Sequence, residues 1–309
     1  MNPLIRIIPP RLVRLFASPY VAGDSLQKAM DVAARLWKQR ELSSTLDLLA
    51  EDINSHETVE EIVETTRAMI DAAATDERLQ DPNAKATVSL KLSSFEIPSS
   101  DQAGERDKAK AHVFELCEHA ARQGVKLTID MEGSDWTDYT LDLFDEIHAR
   151  GHDHVGCVLQ TRLQRTRADL DRLPAACRVR LVIGIYQEDE SIAITDKKQM
   201  KERLVEYAQV LLERGHYVEF ATHDEAFIHR FLGDVVQAES IPHDRFEVQM
   251  LYGVPRPGVQ RQLREQGIRC RLYVPFANGW PMAIAYLRRR LDEYPAMMFL
   301  VARNLFRRR

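Results

Sequence analysis

Several ionisable residues of this sequence lie at the ends of short apolar runs and could bind a small anionic molecule. VSLKL carries Lys91, LTIDME carries Asp130 and Glu132, and FATHD carries His223. In a strand, Asp130 and Glu132 would share one face, because they are two residues apart. Ionisable groups at strand ends are costly to bury unless they are paired or used. The pattern therefore indicates a charged binding site built from several strands.

A run of arginines near the end of the chain could complete such a site. Arg288, Arg289 and Arg290 are consecutive, and Glu293 follows. The guanidinium fork matches a carboxylate, so with Lys91 these arginines could clamp a substrate carboxylate. On a helix, the same arginines could instead form i,i+4 pairs with nearby acids on a solvated face.

The residue pattern alone leaves three interpretations of the site open. The first is the anion site. The second is a metal-assisted hydrolase using Asp130, Glu132 and His223, which is disfavoured because STLDLL, the first strand, has no histidine. The third is a cofactor barrel in which polar side chains such as Gln160 and Gln249 hold a flat ring. The first and third interpretations are compatible.

The elements that must position these residues follow a regular alternation. Apolar, β-branched or aromatic runs are followed by stretches with helical periodicity, as around Val59, Val113 and Met200. The predicted strands cover residues 44–49, 86–95, 125–132, 154–161, 179–186, 217–223, 246–252 and 270–276. Eight strands alternating with helices predict an α/β fold, a TIM-like (β/α)8 barrel.

The main rival to this fold is a doubly wound sheet. No GxGxxG or GxxxxGK[ST] follows any predicted strand, which disfavours it. We expect residues 1–40 to form an N-terminal helical segment, with a helix at 25–39 that plugs the barrel bottom or packs on its side. We expect residues 41–309 to form the barrel catalytic domain, with a last helix at 281–293.

Composition narrows the function classes. A net charge of −5 and a pI of about 6.1 argue against a nucleic-acid partner. The four cysteines fit no metal-binding spacing, so no metal site is predicted. No apolar run approaches the length of a membrane span. We expect a cytoplasmic protein, either soluble or, through basic residues such as Arg6 and Arg11, peripheral at the inner face of the membrane.

The motifs, taken in order, resemble those of bacterial proline dehydrogenases along nearly the whole chain. Any one of them is weakly specific, but their order, spacing and strand positions agree together. The opening helix and first strand are similar across SPYVAGDSLQKAMDVAARLWKQRELSSTLDLLAED. The later motifs are VSLKLSSF, IDMEGSDW, VLQT, FATHD, FEVQMLYGV, RLYVP and LRRRLDE.

The resemblance implies a distorted (β/α)8 barrel with FAD across the carboxyl ends of the strands. It implies oxidation of L-proline to Δ1-pyrroline-5-carboxylate, with hydride passing from proline C5 to flavin N5. Electrons would then pass to a membrane quinone, and a separate pyrroline-5-carboxylate dehydrogenase would be a functional partner.

The resemblance also implies roles for individual residues. The substrate site would comprise Lys91, Asp130, Tyr186, Leu251, Tyr273, Arg289 and Arg290. Contacts with FAD would come from Asp130, Met131, Gln160, Arg180, Val182, Gly184, Thr222, His223, Asp224, Gln249, Arg290 and Glu293. Among them, Arg180 resembles the arginine near flavin N5, and Gly184 resembles a glycine that lets the main chain approach the cofactor.

The fifth predicted strand departs from the family pattern. Ile183 and Ile185 stand where the family usually has a basic residue and an alanine. Two alternatives follow: a related flavoenzyme for another cyclic amino acid such as hydroxyproline, or a degenerate barrel that binds flavin or an amino acid without turnover. Tyr273 argues against a hydroxylated ring, which it would crowd, and the retained Lys91 and Asp130 argue against degeneration.

Overall fold

Eight parallel strands form a closed barrel in the computed structural model, which describes residues 19–50 and 53–284. Each strand pairs with the next in the chain, and the eighth pairs with the first. The strands are β1 (Ser43–Leu48), β2 (Thr87–Leu90), β3 (Leu127–Ile129), β4 (Val155–Gln160), β5 (Arg178–Val182), β6 (Tyr217–Ala221), β7 (Phe246–Leu251) and β8 (Cys270–Phe276). The predicted (β/α)8 fold is confirmed.

Helices cover the outside of this barrel. They are α1 (Leu26–Arg40), α2 (His56–Thr75), α3 (Gln102–Gln123), α4 (Thr137–Ala149), α5 (Thr166–Asp169), α6 (Lys197–Glu213), α7 (Glu225–Arg230) and α8 (Pro257–Glu265). The chain continues from α7 into a π-helix, Phe231–Gln237. None of the helices within the described ranges is long and apolar enough to cross a membrane.

The two faces of each strand differ because successive side chains point to opposite sides. On β1, Leu46 and Leu48 belong to the apolar core under α1 and α2. Thr45 faces the barrel interior, where its hydroxyl lies 2.8 Å from that of Thr87 on β2. Asp47 shares that inward face. The barrel interior at β1 is therefore polar, and the apolar core lies between the strands and the surrounding helices.

Three strands end three to five residues before the ends of their apolar runs, whereas the other five end within two residues of the predicted position. The run 86–95 is a strand only to Leu90, because its neighbour β3 ends at Ile129 and the pairing stops there. The following residues, Leu92–Phe95, form a 3-10 turn that buries Leu92 and Phe95. The run 125–132 forms only the short strand β3. The run 179–186 is a strand only to Val182, after which Gly184 turns the chain with a φ of +96°.

The helix predicted at 25–39 packs on the side of the barrel. This helix, α1, begins after Ser25, whose hydroxyl accepts a hydrogen bond from the Lys28 amide. It contacts β1, β8 and α2, with Met30 and Ala33 in the apolar core shared with β1. The helix thus covers the seam where the barrel closes.

The last helix starts at the carboxyl ends of the strands. Residues 280–284 are helical, and Ala283 packs with Val21 and Leu49, the residue that follows β1. The rest of the predicted helix 281–293, including Arg289, Arg290 and Glu293, lies outside the described residues.

Candidate active site

Lys91 and Asp130, which directly follow β2 and β3, meet Tyr273 from within β8. The Tyr273 hydroxyl donates to Asp130 Oδ2 at 2.5 Å, and Lys91 Nζ lies 3.2 Å from the same hydroxyl. Lys91 Nζ is 3.6 Å from Asp130 Oδ2. Burial and the Asp130 charge hold the pKa of Tyr273 well above its usual value, so the phenol stays a proton donor. A cation, an anion and a fixed aromatic ring are thus joined at one point.

Arg180 on β5 lies beneath this group and fixes it from the barrel side. Its Nη1 donates to Asp130 Oδ1 at 2.7 Å, and its Nε donates to Glu219 Oε2 at 3.2 Å. The guanidinium lies 5.2 Å from the centre of the Tyr273 ring. Burial disfavours the charge of Arg180, but the two carboxylates outweigh burial and raise its pKa. Arg180 is therefore a permanent cation.

Asp47 on β1 is a member of the site that the sequence reasoning missed. The Lys91 ammonium hydrogen-bonds Asp47 Oδ1, and Asp47 is 2% exposed. Burial raises the pKa of Asp47, and Lys91 opposes that shift. A single acidic residue within the apolar run STLDLL gives no local sign of its partner, which lies just after β2. The signal that could have found it is the polar alternation of Thr45 and Asp47 in an otherwise apolar run.

Deeper in the barrel, more buried acids are paired with arginines. Glu219 Oε1 accepts from Arg178 Nη1 at 2.8 Å, and Glu247 Oε1 accepts from Arg271 Nε at 2.6 Å. Burial alone would raise the pKa of Glu247, but Arg271 lowers it to about 2. Through Glu219 and Arg180, this ionic interior is continuous with the carboxyl mouth. Of this interior, the sequence predicted Arg180 but not the acids, because the partner of a charged residue within a strand comes from another strand.

Gln160 and Gly184 lie side by side where β4 and β5 end. Gln160 is buried, and its amide nitrogen donates to the Glu132 carbonyl at 2.7 Å. Gly184 has a φ of +96°, and a Cβ there would collide with the Gln160 amide. Only glycine fits this position without strain, so the main chain after β5 approaches the mouth without a side chain.

His223, after β6, presents a buried nitrogen that needs a partner. Its Nε2 accepts from the Leu251 amide at 3.1 Å. Burial and Arg256 lower the pKa of His223 to about 4, so at neutral pH the ring is neutral and carries its proton on Nδ1. That Nδ1 is buried and has no hydrogen-bond partner among the described residues. It is a donor available to a ligand oxygen.

Three other residues expected near a cofactor have local partners. The Thr222 hydroxyl accepts from the Asp224 amide at 3.2 Å. Asp224 caps α7 and pairs with Lys201 at 2.6 Å. Gln249 is buried and donates to Glu247 at 2.6 Å, toward the barrel interior. The Asp224 carboxylate and the Gln249 amide nitrogen therefore already serve the fold.

The remaining expected residues lie around the same rim. Leu251 and Val182 are the last residues of β7 and β5, and Met131 is buried just after β3. Tyr186 lies in the loop after β5 rather than in the strand, half-buried, and its carbonyl accepts from Arg162. The structure thus brings Lys91, Asp130, Arg180 and Tyr273 into direct contact, with the other described residues around them.

A cavity of about 510 Å³ opens beside Lys91 at the carboxyl ends of β1 to β3. Its lining includes the polar residues Lys91, Ser93 and Glu132 and the apolar residues Leu49 and Trp136. This volume lies in the range of small-molecule sites. The cavity is therefore large enough for an organic molecule beside the Lys91 ammonium, and Tyr273 and Asp130 are not among the residues that line it.

The metal interpretation gains no support from these residues. Within residues 19–50 and 53–284, no group of three His, Cys, Asp or Glu side chains is arranged to hold a metal. Glu132 binds the amide and hydroxyl of Ser93 at 3.0 and 2.5 Å, whereas Asp130 binds Arg180 and His223 binds a main-chain amide. The three proposed ligands serve separate partners.

Comparison with known proteins gives the family. The model of the proline dehydrogenase family matches residues 29–301. The chain belongs to the proline dehydrogenase family. Proline dehydrogenase 1 of Bacillus subtilis subsp. natto is 30% identical over 96% of the chain and 92% of its own length. Proline dehydrogenase of Deinococcus radiodurans is 33% identical over 94% of the chain and 90% of its own length.

A solved structure shows the same barrel. Proline utilization A (PutA) of Bdellovibrio bacteriovorus, inactivated by N-propargylglycine, superposes with a TM-score of 0.80 at 23% identity. The match covers 90% of this chain and 32% of the PutA chain, so the chain spans about a third of that protein's length. At this identity the likeness concerns the fold alone.

Proposed function

We propose that the protein oxidises L-proline to Δ1-pyrroline-5-carboxylate with a bound FAD. The observation that carries the proposal is the Lys91 ammonium held beside Tyr273 and Asp130 at the mouth of a proline dehydrogenase family barrel. Within that family, a fixed cation next to a cavity matches the carboxylate of the substrate. The reaction removes two electrons and needs no nucleophile or metal.

The substrate carboxylate would bind Lys91. The ammonium lies at the cavity and is 16% exposed, so it can reach both the buried acids and a ligand. An ionic hydrogen bond in such a partly dry site is stronger than one in water. By resemblance, Arg289 and Arg290 would complete the clamp.

The proline ring would pack against Tyr273. The ring of this tyrosine cannot swing away, because its hydroxyl is tied to Asp130 and faces Lys91. Fixing both the carboxylate and the ring orients C5, the carbon from which hydride leaves. Orientation of this kind removes a large part of the barrier of a two-reactant step.

The residues of the mouth fit a flavin. When bound, FAD supplies the acceptor for the hydride and its two electrons. The neutral His223 offers a buried Nδ1–H donor with no acceptor among the described side chains. Gly184 leaves the main chain uncovered beside Gln160. Arg180, a permanent buried cation, would favour negative charge on a reduced ring nearby.

The proposal also covers the acceptor of the electrons and the enzyme that uses the product. By resemblance, we propose a quinone as electron acceptor at the inner face of the membrane. We also propose a separate pyrroline-5-carboxylate dehydrogenase as the consumer of the product. We further propose a cytoplasmic location.

Product analysis tests the proposed reaction. The protein is purified, loaded with FAD and supplied with L-proline and a soluble quinone, and mass spectrometry follows a product two hydrogens lighter than proline. Lys91→Met should raise the KM for proline by on the order of 100-fold, through loss of a charge-assisted pair. Lys198→Met, at an exposed lysine of α6, serves as the matched control.

The substrate range decides between the alternatives. Product from hydroxyproline but not from proline would replace the substrate while keeping the enzyme class. No product from any cyclic amino acid by flavin-loaded protein would overturn the proposed oxidation in favour of a binding barrel.

A further inference from the structure

Lys91 is held on its barrel side by a carboxylate that lies inside the first strand. Asp47 is on β1, is 2% exposed, and accepts a hydrogen bond from Lys91 Nζ. The Lys91 side chain is 16% exposed, so the pair spans the boundary between the dry interior and the cavity. Asp47 itself does not line the cavity.

The contacts around Lys91 divide its three N–H donors. One donor points to Asp47, and another faces the Tyr273 hydroxyl at 3.2 Å, with Asp130 Oδ2 beyond at 3.6 Å. An ammonium has three donors and no acceptor, and its four-carbon stem is flexible. Two fixed acceptors on the barrel side therefore hold the ammonium in one orientation at the edge of the cavity.

Strand register explains how Asp47 reaches Lys91. Asp47 is aligned with Ser89 in the β1–β2 pairing, and Lys91 is two residues further along the chain. Residues two apart share a face, so Lys91 follows Ser89 on the face that Asp47 shares, and its long side chain reaches the Asp47 carboxylate. Because Asp47 lies in a regular strand closed on both sides by β2 and β8, it is a rigid anchor.

We propose that Asp47 is a positioning residue that aims the Lys91 ammonium at the substrate carboxylate. This inference rests on the proposed role of Lys91 in carboxylate binding. Asp47 hydrogen-bonds Lys91 and does not itself line the cavity, so its removal should weaken the binding of carboxylate ligands and change the chemical step little.

The test is a double-mutant cycle with Asp47→Asn, Lys91→Met and both together, in flavin-loaded protein. KM and kcat are measured with L-proline. Calorimetry gives the Kd of tetrahydrofuran-2-carboxylate, a ring carboxylate that has no amine to oxidise. Asp153→Asn, at a carboxylate that is 88% exposed, is the matched control.

We expect Asp47→Asn to raise KM and the carboxylate Kd by about 10-fold, from loss of one hydrogen bond to a charged group. The kcat should stay within about threefold, since no interaction made only in the transition state is removed. In the Lys91→Met background, Asp47→Asn should leave the carboxylate Kd unchanged.

The outcomes separate this inference from the proposed function. If Lys91→Met weakens carboxylate binding and Asp47→Asn does not, the positioning role is wrong and the role of Lys91 stands. If Asp47→Asn raises the carboxylate Kd equally in the wild-type and Lys91→Met backgrounds, the positioning role is also wrong. If Lys91→Met leaves the carboxylate Kd unchanged, the role of Lys91 fails and the inference falls with it.

A second variant and a thermal measurement keep the test decisive. Asp47→Glu keeps the charge but moves the carboxylate by one methylene, so it should also raise KM, and an unchanged KM would overturn the inference.

Thermal unfolding gives a readout independent of activity. Asp47→Asn should lower the Tm of the wild-type protein and raise that of Lys91→Met, where Asp47 has lost its cation. The same sign in both backgrounds would contradict the pairing.

Discussion

Replacing Glu219 with Gln tests the ionic interior that supports the site. Glu219 is 1% exposed and accepts from Arg178 at 2.8 Å and from Arg180 at 3.2 Å. Breaking a buried ion pair by removing one partner costs about 3–5 kcal/mol. Both arginines keep other partners, since Arg178 also donates to Thr128 and Arg180 to Asp130. We therefore expect a cost at the lower end of this range, a loss of about 3 kcal/mol in the free energy of unfolding.

Urea unfolding of the flavin-free protein, followed by circular dichroism, measures this loss. Glu202→Gln is the matched control, because Glu202 pairs with Arg230 at 2.6 Å but both side chains are about 40% exposed. An exposed pair contributes less than about 1 kcal/mol. Equal losses in the two variants would refute the reasoning that burial of the Glu219 pair determines its cost.

Three further predictions concern the mouth of the barrel. Gly184→Ala should lower the free energy of unfolding by about 2 kcal/mol or more, because the φ of +96° is strained for alanine and the new Cβ displaces Gln160. Gly151→Ala, at a φ of +83° with open space around it, isolates the strain, so in urea unfolding the Gly184 variant should lose more; equal losses would contradict the collision. Stability should fall by up to about 3 kcal/mol as the pH is lowered from about 6.5 to about 4, because the unfolded chain protonates His223 while the folded protein, with its pKa near 4, does not. His223→Gln should flatten that part of the pH profile, and an unchanged profile would show that another group is responsible. Tyr273→Phe removes a donor from a buried carboxylate and should cost about 1–3 kcal/mol in urea unfolding, with a higher KM for proline; wild-type stability and KM would contradict the hydrogen bond.

The sequence predicted the barrel well because the alternation of strands and helices is a regular pattern. It also predicted that Lys91, Asp130 and Tyr273 would lie together, although they are far apart in the chain. The physical reason is that the carboxyl ends of parallel strands meet at one end of a barrel, and the Tyr273 hydroxyl reaches Asp130 there from within β8. The structure shows these three side chains in direct contact.

The strand ends and the barrel interior were harder to predict. An apolar run does not show where its neighbour stops pairing, so Leu92 and Tyr186 were placed in strands that end earlier. The interior acids were missed because a charged residue within a strand, such as Asp47 or Glu219, has no local signal for its partner. That partner comes from another strand, and only the closed register brings them together.

An anaerobic absorbance spectrum of the purified, FAD-loaded protein before and after addition of L-proline tests the central claim most directly. The proposed reaction predicts that the flavin band bleaches on addition of proline, because hydride reaches the cofactor and no acceptor is present to remove the electrons. A flavin band that persists with saturating proline would contradict proline oxidation by this barrel.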